Sequence, residues 1–274
     1  MWFGRTLFAA VALLSGLWLG SAEAQTKPKL TAPSDAELGS FMYVGNSFFY
    51  YNNGLPGYVS RLAAGAPAAG RRVYRSTMIT MGGSGFDWHD LESYFRPRAV
   101  GYYNFDANNN IVFNTRAKFY DAVVMMDCSQ CPIHPQLSRV FTEYARTNSE
   151  IARGHGAEPI LFMSWAYADK PEMTEQLAEA YTVAGNANNA LVIPAGLAFA
   201  RVVKERPELV LYQADKRHPT AIGTYLAAAT VFAALSGRSP EVNTYDGDLA
   251  PDLARYLRAA AWATTRAYYA AAVR

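Results

Sequence analysis

A Gly-Asn-Ser sequence follows an apolar run near the start of the chain. Residues 41–44 (FMYV) predict a strand, and Gly45, Asn46 and Ser47 come directly after it. A serine beyond the carboxyl end of a strand, beside a glycine that permits a tight turn, can present its hydroxyl and its N–H to a cleft. This arrangement suits nucleophilic attack by the hydroxyl. Gly-Asn-Ser is also an ordinary turn sequence, so the motif by itself leaves both interpretations open.

A carboxylate and a histidine lie close together near the other end of the chain. Asp215 precedes His218 by three residues, in the sequence DKRHP. At this spacing the carboxylate can accept the Nδ1–H of the histidine, which leaves Nε2 free to take a proton from a serine. The chain has four histidines, and the other three lack this setting. Ser47, His218 and Asp215 are therefore the candidate catalytic residues.

The elements that must position these residues alternate between strands and helices. Short apolar or β-branched runs predict strands at 41–44, 72–80, 122–126, 159–164 and 190–193. Helical patterns between and after them predict helices at 54–64, 136–154, 171–188, 195–205, 222–236 and 248–272. An Asn-rich turn between two aromatic runs predicts an inserted hairpin at 102–114. This alternation predicts one α/β domain over 40–274, with a mostly parallel sheet.

The N-terminus has the pattern of an export signal. Residues 1–24 carry one early positive charge, an apolar run and a small-x-small site ending at Ala24. The apolar run is short for a membrane span, and an uncleaved anchor is the alternative. We therefore expect a periplasmic or secreted protein with no membrane association after cleavage. Residues 25–39 are expected to be a flexible lead-in.

The composition excludes some partners and leaves others open. The formal net charge is +2 and the basic residues are scattered, which argues against nucleic acid and anionic membrane surfaces as partners. The eighteen tyrosines and five tryptophans suit either a sugar-binding or apolar cleft or ordinary packing. The oligomeric state cannot be derived from these residues.

Two cysteines, Cys128 and Cys131, form a CxxC sequence. An exported protein favours a disulfide between them, while free thiols and a redox site are the alternatives. No second CxxC and no HxxxH completes a zinc site, so no metal is expected. A disulfide in so short a loop would mainly fix the shape of a turn.

Together, the first and last motifs resemble those of the SGNH, or GDSL-like, hydrolase superfamily. Gly45-Asn46-Ser47 is similar to its first block, and Asp215 to Pro219 is similar to its last, Asp-x-x-His-Pro. A branch of uncharacterised secreted members is similar in three segments: GNSF at 45–48, a Gly-Gly-rich block at 82–85 and Trp-Ala-Tyr at 165–167. The resemblance covers 41–237. It implies a three-layer α/β/α sandwich with a flavodoxin-like, mostly parallel sheet.

The resemblance also implies an oxyanion hole with three donors. These are the N–H of Ser47, the N–H of Gly85, and Gln130 in place of the usual Asn of the third block. Gly82 and Gly83 compete with Gly85 for the second role. Asn46, Trp88 and Trp165 are candidates for the substrate cleft, with capping and packing at helix and strand ends as the alternative for the regions around Trp88 and Trp165.

These expectations describe an exported serine esterase that needs no metal and no organic cofactor. Its substrate would be a small-molecule or glycan ester, with a carbohydrate acetyl ester as one possibility. Hydrolysis of a lipid ester or a thioester is a close alternative. A non-catalytic glycan-binding protein and a polysaccharide O-acetyltransferase on the same fold are alternatives from other classes.

Overall fold

The computed structural model describes residue 1 and residues 26–67, 72–115 and 118–271. Apart from Met1, the predicted signal peptide lies outside the described residues. The strands are β1 (Ser40–Gly45), β2 (Arg75–Thr80), β3 (Tyr103–Phe105), β4 (Ile111–Phe113), β5 (Ala122–Met125), β6 (Glu158–Phe162) and β7 (Leu191–Ile193). The helices are α1 (Ser47–Tyr50), α2 (Leu55–Gly65), α3 (Leu91–Tyr94), α4 (Ser138–Gly154), α5 (Met173–Ala187), α6 (Ala195–Glu205), α7 (Ala221–Ser236) and α8 (Pro251–Ala270). Within the described ranges, 3₁₀ turns lie at Tyr51–Asn53, Phe86–Trp88 and Cys131–Ile133.

Five parallel strands form the main sheet in the order β2-β1-β5-β6-β7. This is the flavodoxin-like order, in which the chain reverses direction across the sheet between β1 and β5. The inner strands β1 and β5 are buried at every position, which explains their continuous apolar sequences. The predicted α/β class and flavodoxin-like parallel sheet are confirmed.

Strand β2 starts three residues later than predicted. Its ladder with β1 begins where Ser40 faces Arg75. Just before it, the N–H of Arg72 donates to the carbonyl of Ala63 at the end of α2, so this backbone group is occupied by the preceding helix. Among the described strands, β2 pairs with β1 alone, and its residues are exposed or half-buried.

Two groups of helices flank the sheet. Helices α4 and α5 contact each other and β6, whereas α2 and α8 both pack against α7. Helix α7 is buried at every position from Gly223 to Leu235. Its small alanine side chains let neighbouring helices approach closely, so α7 forms the centre of its layer. Among the described residues, no helix is long and apolar enough to cross a membrane.

The hairpin predicted at 102–114 is present as a separate two-stranded sheet. β3 and β4 are antiparallel, with Tyr103 facing Phe113 and Phe105 facing Ile111. In the turn, Asp106 accepts hydrogen bonds from the backbone N–H groups of Asn108 and Asn110, and these bonds lower the pKa of its carboxyl. Both strands are exposed along their length.

The described part of the lead-in, 26–39, runs along the domain surface. The N–H of Thr26 donates to Glu179 at 2.8 Å, that of Lys29 to Asn186 at 2.7 Å, and that of Ser34 to Glu158 at 3.0 Å. These bonds attach the segment to α5 and to the start of β6.

Candidate active site

Ser47 occupies the first position of α1, immediately after β1. Asn46 caps the helix, and its side chain accepts a hydrogen bond from the N–H of Phe48. A Cβ on Gly45 would lie 3.1 Å from the Phe49 ring and 3.2 Å from the carbonyl of Met126, so glycine lets these neighbours approach the turn closely. The chain therefore turns tightly enough to place Ser47 at the carboxyl edge of the sheet.

The structure brings Ser47, His218 and Asp215 into one hydrogen-bonded chain. His218 Nε2 lies 2.7 Å from Ser47 Oγ, and His218 Nδ1 makes a short hydrogen bond to Asp215 Oδ2. The other carboxylate oxygen accepts from the backbone N–H groups of Arg217 and His218, both at 3.0 Å. The hydrogen bond to His218 is the largest of the effects that lower the pKa of Asp215 to about 2, so this carboxylate is ionised across the neutral range.

Trp165 supports the loop that carries His218. It was predicted as a candidate for the substrate cleft, but its side chain is buried, with 1% exposed. Its ring stacks between Phe48 and Phe199, with centroids 4.5 and 4.1 Å away, and its Nε1 donates to the carbonyl of Arg217 at 2.9 Å. The cleft prediction for Trp165 is therefore wrong, because this side chain lies beneath the site and connects it to α6.

Asn46 is the second cleft candidate that proves to be internal. Its side chain is buried, and its Nδ2 donates to the carbonyls of Ser84 at 3.0 Å and Asp127 at 3.1 Å. One amide thus links the loops that follow β1, β2 and β5. Neither set of contacts is local in sequence, so the pattern Gly-Asn-Ser could not reveal this role.

Gly85 lies in a loop held on both sides. The hydroxyl of the preceding Ser84 donates to the carbonyl of Gly45 at 2.9 Å, and the N–H of the following Phe86 donates to Asp127 Oδ1 at 2.9 Å. A Cβ on Gly85 would lie 2.8 Å from that same oxygen. Among the described residues, neither the Gly85 N–H nor the Ser47 N–H has a hydrogen-bond acceptor. Both donors are available to an added group.

Gln130 makes a different contact from the one predicted. Its amide nitrogen lies 4.0 Å from the sulfur of Met173, the first residue of α5, and this is the one hydrogen-bond partner found for that amide in the described part of the chain. Cys128 and Cys131 on either side of it are joined in a disulfide. In this arrangement the side chain contacts α5, and within the described residues no hydrogen bond joins it to Ser47 or His218.

Asp127 and His89 support the site but were not predicted to do so. Asp127 is buried and accepts hydrogen bonds from the N–H groups of Phe86 and Cys128, and burial raises the pKa of its carboxyl to about 7. His89 Nε2 lies 3.0 Å from Ser84 Oγ and 3.1 Å from the carbonyl of Gly45. Burial is the largest cause of the lowered pKa of His89, so its neutral form is favoured. The signal for Asp127 was in the sequence, since it follows β5 just as Ser47 follows β1.

Two features remain: the cleft candidate Trp88 and the possible metal ligands near Asp127. Trp88 is 59% exposed and lies in the 3₁₀ turn after Gly85. Within the described ranges, one group of possible metal ligands was found, Asp127 with Cys128 and Cys131. Both of these sulfur atoms belong to the disulfide, so the group has no thiolate to offer.

Comparison with known proteins identifies the fold. A protein from Slackia heliotrinireducens assigned to the SGNH hydrolases superimposes with a TM-score of 0.52 and 21% identity, over 72% of this chain and 98% of that one. A DUF4886 family protein from Bacteroides uniformis gives 0.56 and 17%, over 86% and 97%. The acetylxylan esterase Axe2 from Geobacillus stearothermophilus gives 0.50 and 15%, over 72% and 95%. The chain has the SGNH-hydrolase fold.

This likeness is one of structure. No protein-family model matches the sequence, and no curated protein matches it. Within the SGNH-type fold, the loops after β1, β2 and β5 converge on Ser47, Gly85 and Asp127, and the loop before α7 brings His218 to the same edge. The arrangement contains a nucleophile, a base with its carboxylate, and two free backbone donors.

Proposed function

We propose that this protein is an exported serine esterase that hydrolyses carboxylic esters. The observation that carries this proposal is the hydrogen-bonded chain from Ser47 through His218 to Asp215 at the carboxyl edge of the sheet. This spatial order meets the requirement of acyl transfer, in which the hydroxyl bonds to the base and the base bonds to an orienting carboxylate. The fold shared with SGNH hydrolases is consistent with the proposal.

The reaction would proceed through an acyl-enzyme. Ser47 Oγ attacks the ester carbonyl while His218 Nε2 takes its proton, and Asp215 stabilises the imidazolium that forms. The tetrahedral oxyanion accepts hydrogen bonds from the N–H groups of Ser47 and Gly85. His218 returns the proton to the leaving alcohol. It then activates a water molecule, which releases the acid and regenerates the serine.

The substrate that we favour is an acetyl ester of a carbohydrate. Axe2, which shares the fold, is described as an acetylxylan esterase. Two exposed aromatic side chains, Tyr50 and Trp88, follow the nucleophile and Gly85 closely in sequence and offer ring faces on which a sugar can stack. Export would bring the enzyme to extracellular glycans.

The first experiment measures hydrolysis of p-nitrophenyl acetate and of esters with longer acyl chains by the purified mature chain. Ser47→Ala serves as the matched variant. We expect activity on acetate to disappear in this variant and to decline with chain length in the wild type. Equal rates in both proteins would refute the serine mechanism.

Two further measurements test the rest of the proposal. Hydrolysis of acetylated xylan tests the carbohydrate preference, and N-terminal sequencing of secreted material tests cleavage before Gln25.

The position of Gln130 supports a second candidate, a non-catalytic glycan-binding protein. Its amide contacts Met173, which leaves two donors for an oxyanion. Loss of one donor typically reduces the rate by about a hundredfold or more. A wild type that binds an acetylated glycan and hydrolyses none of the esters would favour this candidate. Gln130→Ala tests the role of this side chain in an active enzyme. If Gln130 rotates to the oxyanion, the substitution lowers kcat by about a hundredfold. If its contact with Met173 persists, the substitution changes kcat little.

A further inference from the structure

The imidazole of His218 lies against two aromatic rings from the segment that follows Ser47. Tyr51 stacks on its face, with ring centroids 4.1 Å apart and planes 8° from parallel. Phe48 approaches at 5.6 Å with its plane at 80° to the imidazole. The base therefore packs against two side chains, one from the nucleophile's own helix and one from the turn after it.

An unusual backbone turn follows Tyr51. Asn52, Asn53 and Gly54 have φ values of 54°, 66° and 90°, three left-handed residues in succession. Asparagine adopts this region more readily than most residues, and glycine adopts it freely. The turn separates α1 from α2 and leaves Tyr51 facing His218 instead of continuing a helix.

The side chain of Asn52 connects this turn to the loop of the base. Its Nδ2 donates to the carbonyl of Pro219 at 2.9 Å and to Thr224 Oγ1 at 2.8 Å. Pro219 follows His218 directly, and Thr224 is a buried residue of α7. The nucleophile segment is thus joined to the base loop by one further hydrogen bond besides the one between Ser47 and His218, and to α7 by another.

We propose that Tyr51 and Asn52 are positioning residues that orient the imidazole of His218, a role that rests on the proposed esterase function. The imidazole must accept from Ser47 at Nε2 while it donates to Asp215 at Nδ1, and rotation of the ring breaks both bonds. A stacked phenol ring restricts that rotation. It also presents its negative face to the imidazolium of the transition state.

The first test compares Tyr51→Leu with Tyr51→Phe. We expect the leucine variant to lower kcat by about tenfold or more, because small errors in the placement of reacting groups are costly, and to change KM little. The phenylalanine variant retains the ring face and recovers most of kcat. Equal kcat values for the leucine variant and the wild type would overturn the proposal.

A second measurement is independent of esterase activity. In the wild type, ¹H–¹⁵N NMR should show a downfield Nδ1 proton of His218, protected by its bond to Asp215. This signal should weaken or broaden in Tyr51→Leu and persist in Tyr51→Phe. His155 is an internal control, since it stacks on Phe95 at 4.4 Å outside the site and should be unaffected. An unchanged His218 signal in Tyr51→Leu would reject the positioning role. If the wild type shows no esterase activity but Tyr51→Leu still loses the His218 signal, the proposed function is rejected and the positioning role of Tyr51 is supported.

The role of Asn52 is tested with glycine, which tolerates its left-handed backbone. Asn52→Gly removes both side-chain hydrogen bonds, and we expect kcat to fall by about threefold to tenfold and the His218 proton signal to broaden. Asn53→Gly is the matched control, because Asn53 has a similar backbone conformation at an exposed position. Equal effects of the two substitutions would show that the Asn52 side chain does not position the base.

Discussion

The two oxygens of Asp215 have different partners, and both matter for the base. Oδ2 bonds to Nδ1 of His218, whereas Oδ1 accepts two backbone N–H groups that fix the carboxylate itself. In Asp215→Asn an amide can replace Oδ2 and donate to Nδ1, which would favour the wrong imidazole tautomer. We expect kcat/KM for p-nitrophenyl acetate to fall by about 10³-fold or more.

The control for this substitution lies near the same loop. Asp169 bonds to Lys216 at 3.4 Å, and within the described residues no hydrogen bond joins it to His218. We expect Asp169→Asn to retain kcat/KM, because an exposed ion pair of this kind contributes little. A similar loss in both variants would attribute the effect to the charge of the loop and not to the orientation of His218.

The buried carboxyl of Asp127 predicts a pH dependence of stability. Burial raises its pKa to about 7, so between about pH 4 and pH 7 the folded protein binds more protons at this group than the unfolded chain does. The contribution of Asp127 to the free energy of unfolding therefore falls as the pH rises from about 4 to about 7, and it is constant at higher pH. Asp127→Asn keeps an oxygen for the N–H groups of Phe86 and Cys128 but cannot ionise.

The measurement is urea unfolding of both proteins from pH 4 to pH 8. As the pH rises through this window, we expect the free energy of unfolding of the wild type to fall by about 1–4 kcal/mol relative to that of Asp127→Asn. Asp215 contributes with the opposite sign, because its pKa is lowered, and its contribution is lost only below about pH 4. A difference between the two proteins that does not vary with pH would contradict the assignment to Asp127.

At the scale of elements, the sequence predicted most of the architecture because patterns of burial are local. The apolar runs of β1 and β5 and the helical periodicity of α4 correspond to the observed elements within two residues at each end. The short pieces α1, α3 and the 3₁₀ turns were not predicted, since each has too few residues to show a period. Their positions depend on contacts with distant segments, such as the bond of Asn52 to Pro219.

Packing of α7 against the loop of the base can be tested at one glycine. A Cβ on Gly223 would lie 2.5 Å from the carbonyl of Leu211 and 3.2 Å from Pro219 Cβ, so Gly223→Ala must displace the backbone of Leu211, whose carbonyl accepts from the N–H of Thr220 in the loop of the base. We expect a loss of about 1–3 kcal/mol in unfolding free energy together with a lower kcat.

Gly57 in α2 is the matched control for that substitution. A Cβ there meets nothing within 4 Å, so Gly57→Ala should stabilise the protein by about 0.5–1 kcal/mol through helix propensity, without an effect on kcat. Both variants are compared by thermal unfolding and by hydrolysis of p-nitrophenyl acetate. Stabilisation by Gly223→Ala would show that the α7 contact is not tight.

At the scale of the whole molecule, the sequence indicated which end of the sheet carries the site but not what surrounds it. Ser47 and His218 were found from local motifs, whereas the roles of Asn46 and Trp165 depend on partners 38 or more residues away. A buried asparagine and an exposed one look alike in a single sequence. Assignments that depend on the side-chain environment therefore require the fold.

The hairpin of β3 and β4 is a separate feature at the start of β2. It forms its own sheet, and Tyr103, Phe105, Ile111 and Phe113 on one of its faces are each more than half exposed. Asn104, Val112 and Phe113 of the hairpin line a groove of about 560 Å³ beside Arg75 to Thr77 at the start of β2. Ser47 follows β1 at the opposite, carboxyl end of the sheet.

Replacement of residues 103–113 by two glycines should therefore remove the hairpin without disabling the site. The N–H of Asn114 already bonds to the carbonyl of Tyr102, so the two ends of the excised segment lie close together. We expect the shortened chain to unfold cooperatively and to retain kcat/KM within about threefold, because distant sites are usually independent. Sedimentation of both chains at several concentrations would show whether the apolar face promotes association, which its removal should reduce. A folded chain that has lost activity on acetylated glycan but not on p-nitrophenyl acetate would instead assign the hairpin to binding of the polymer.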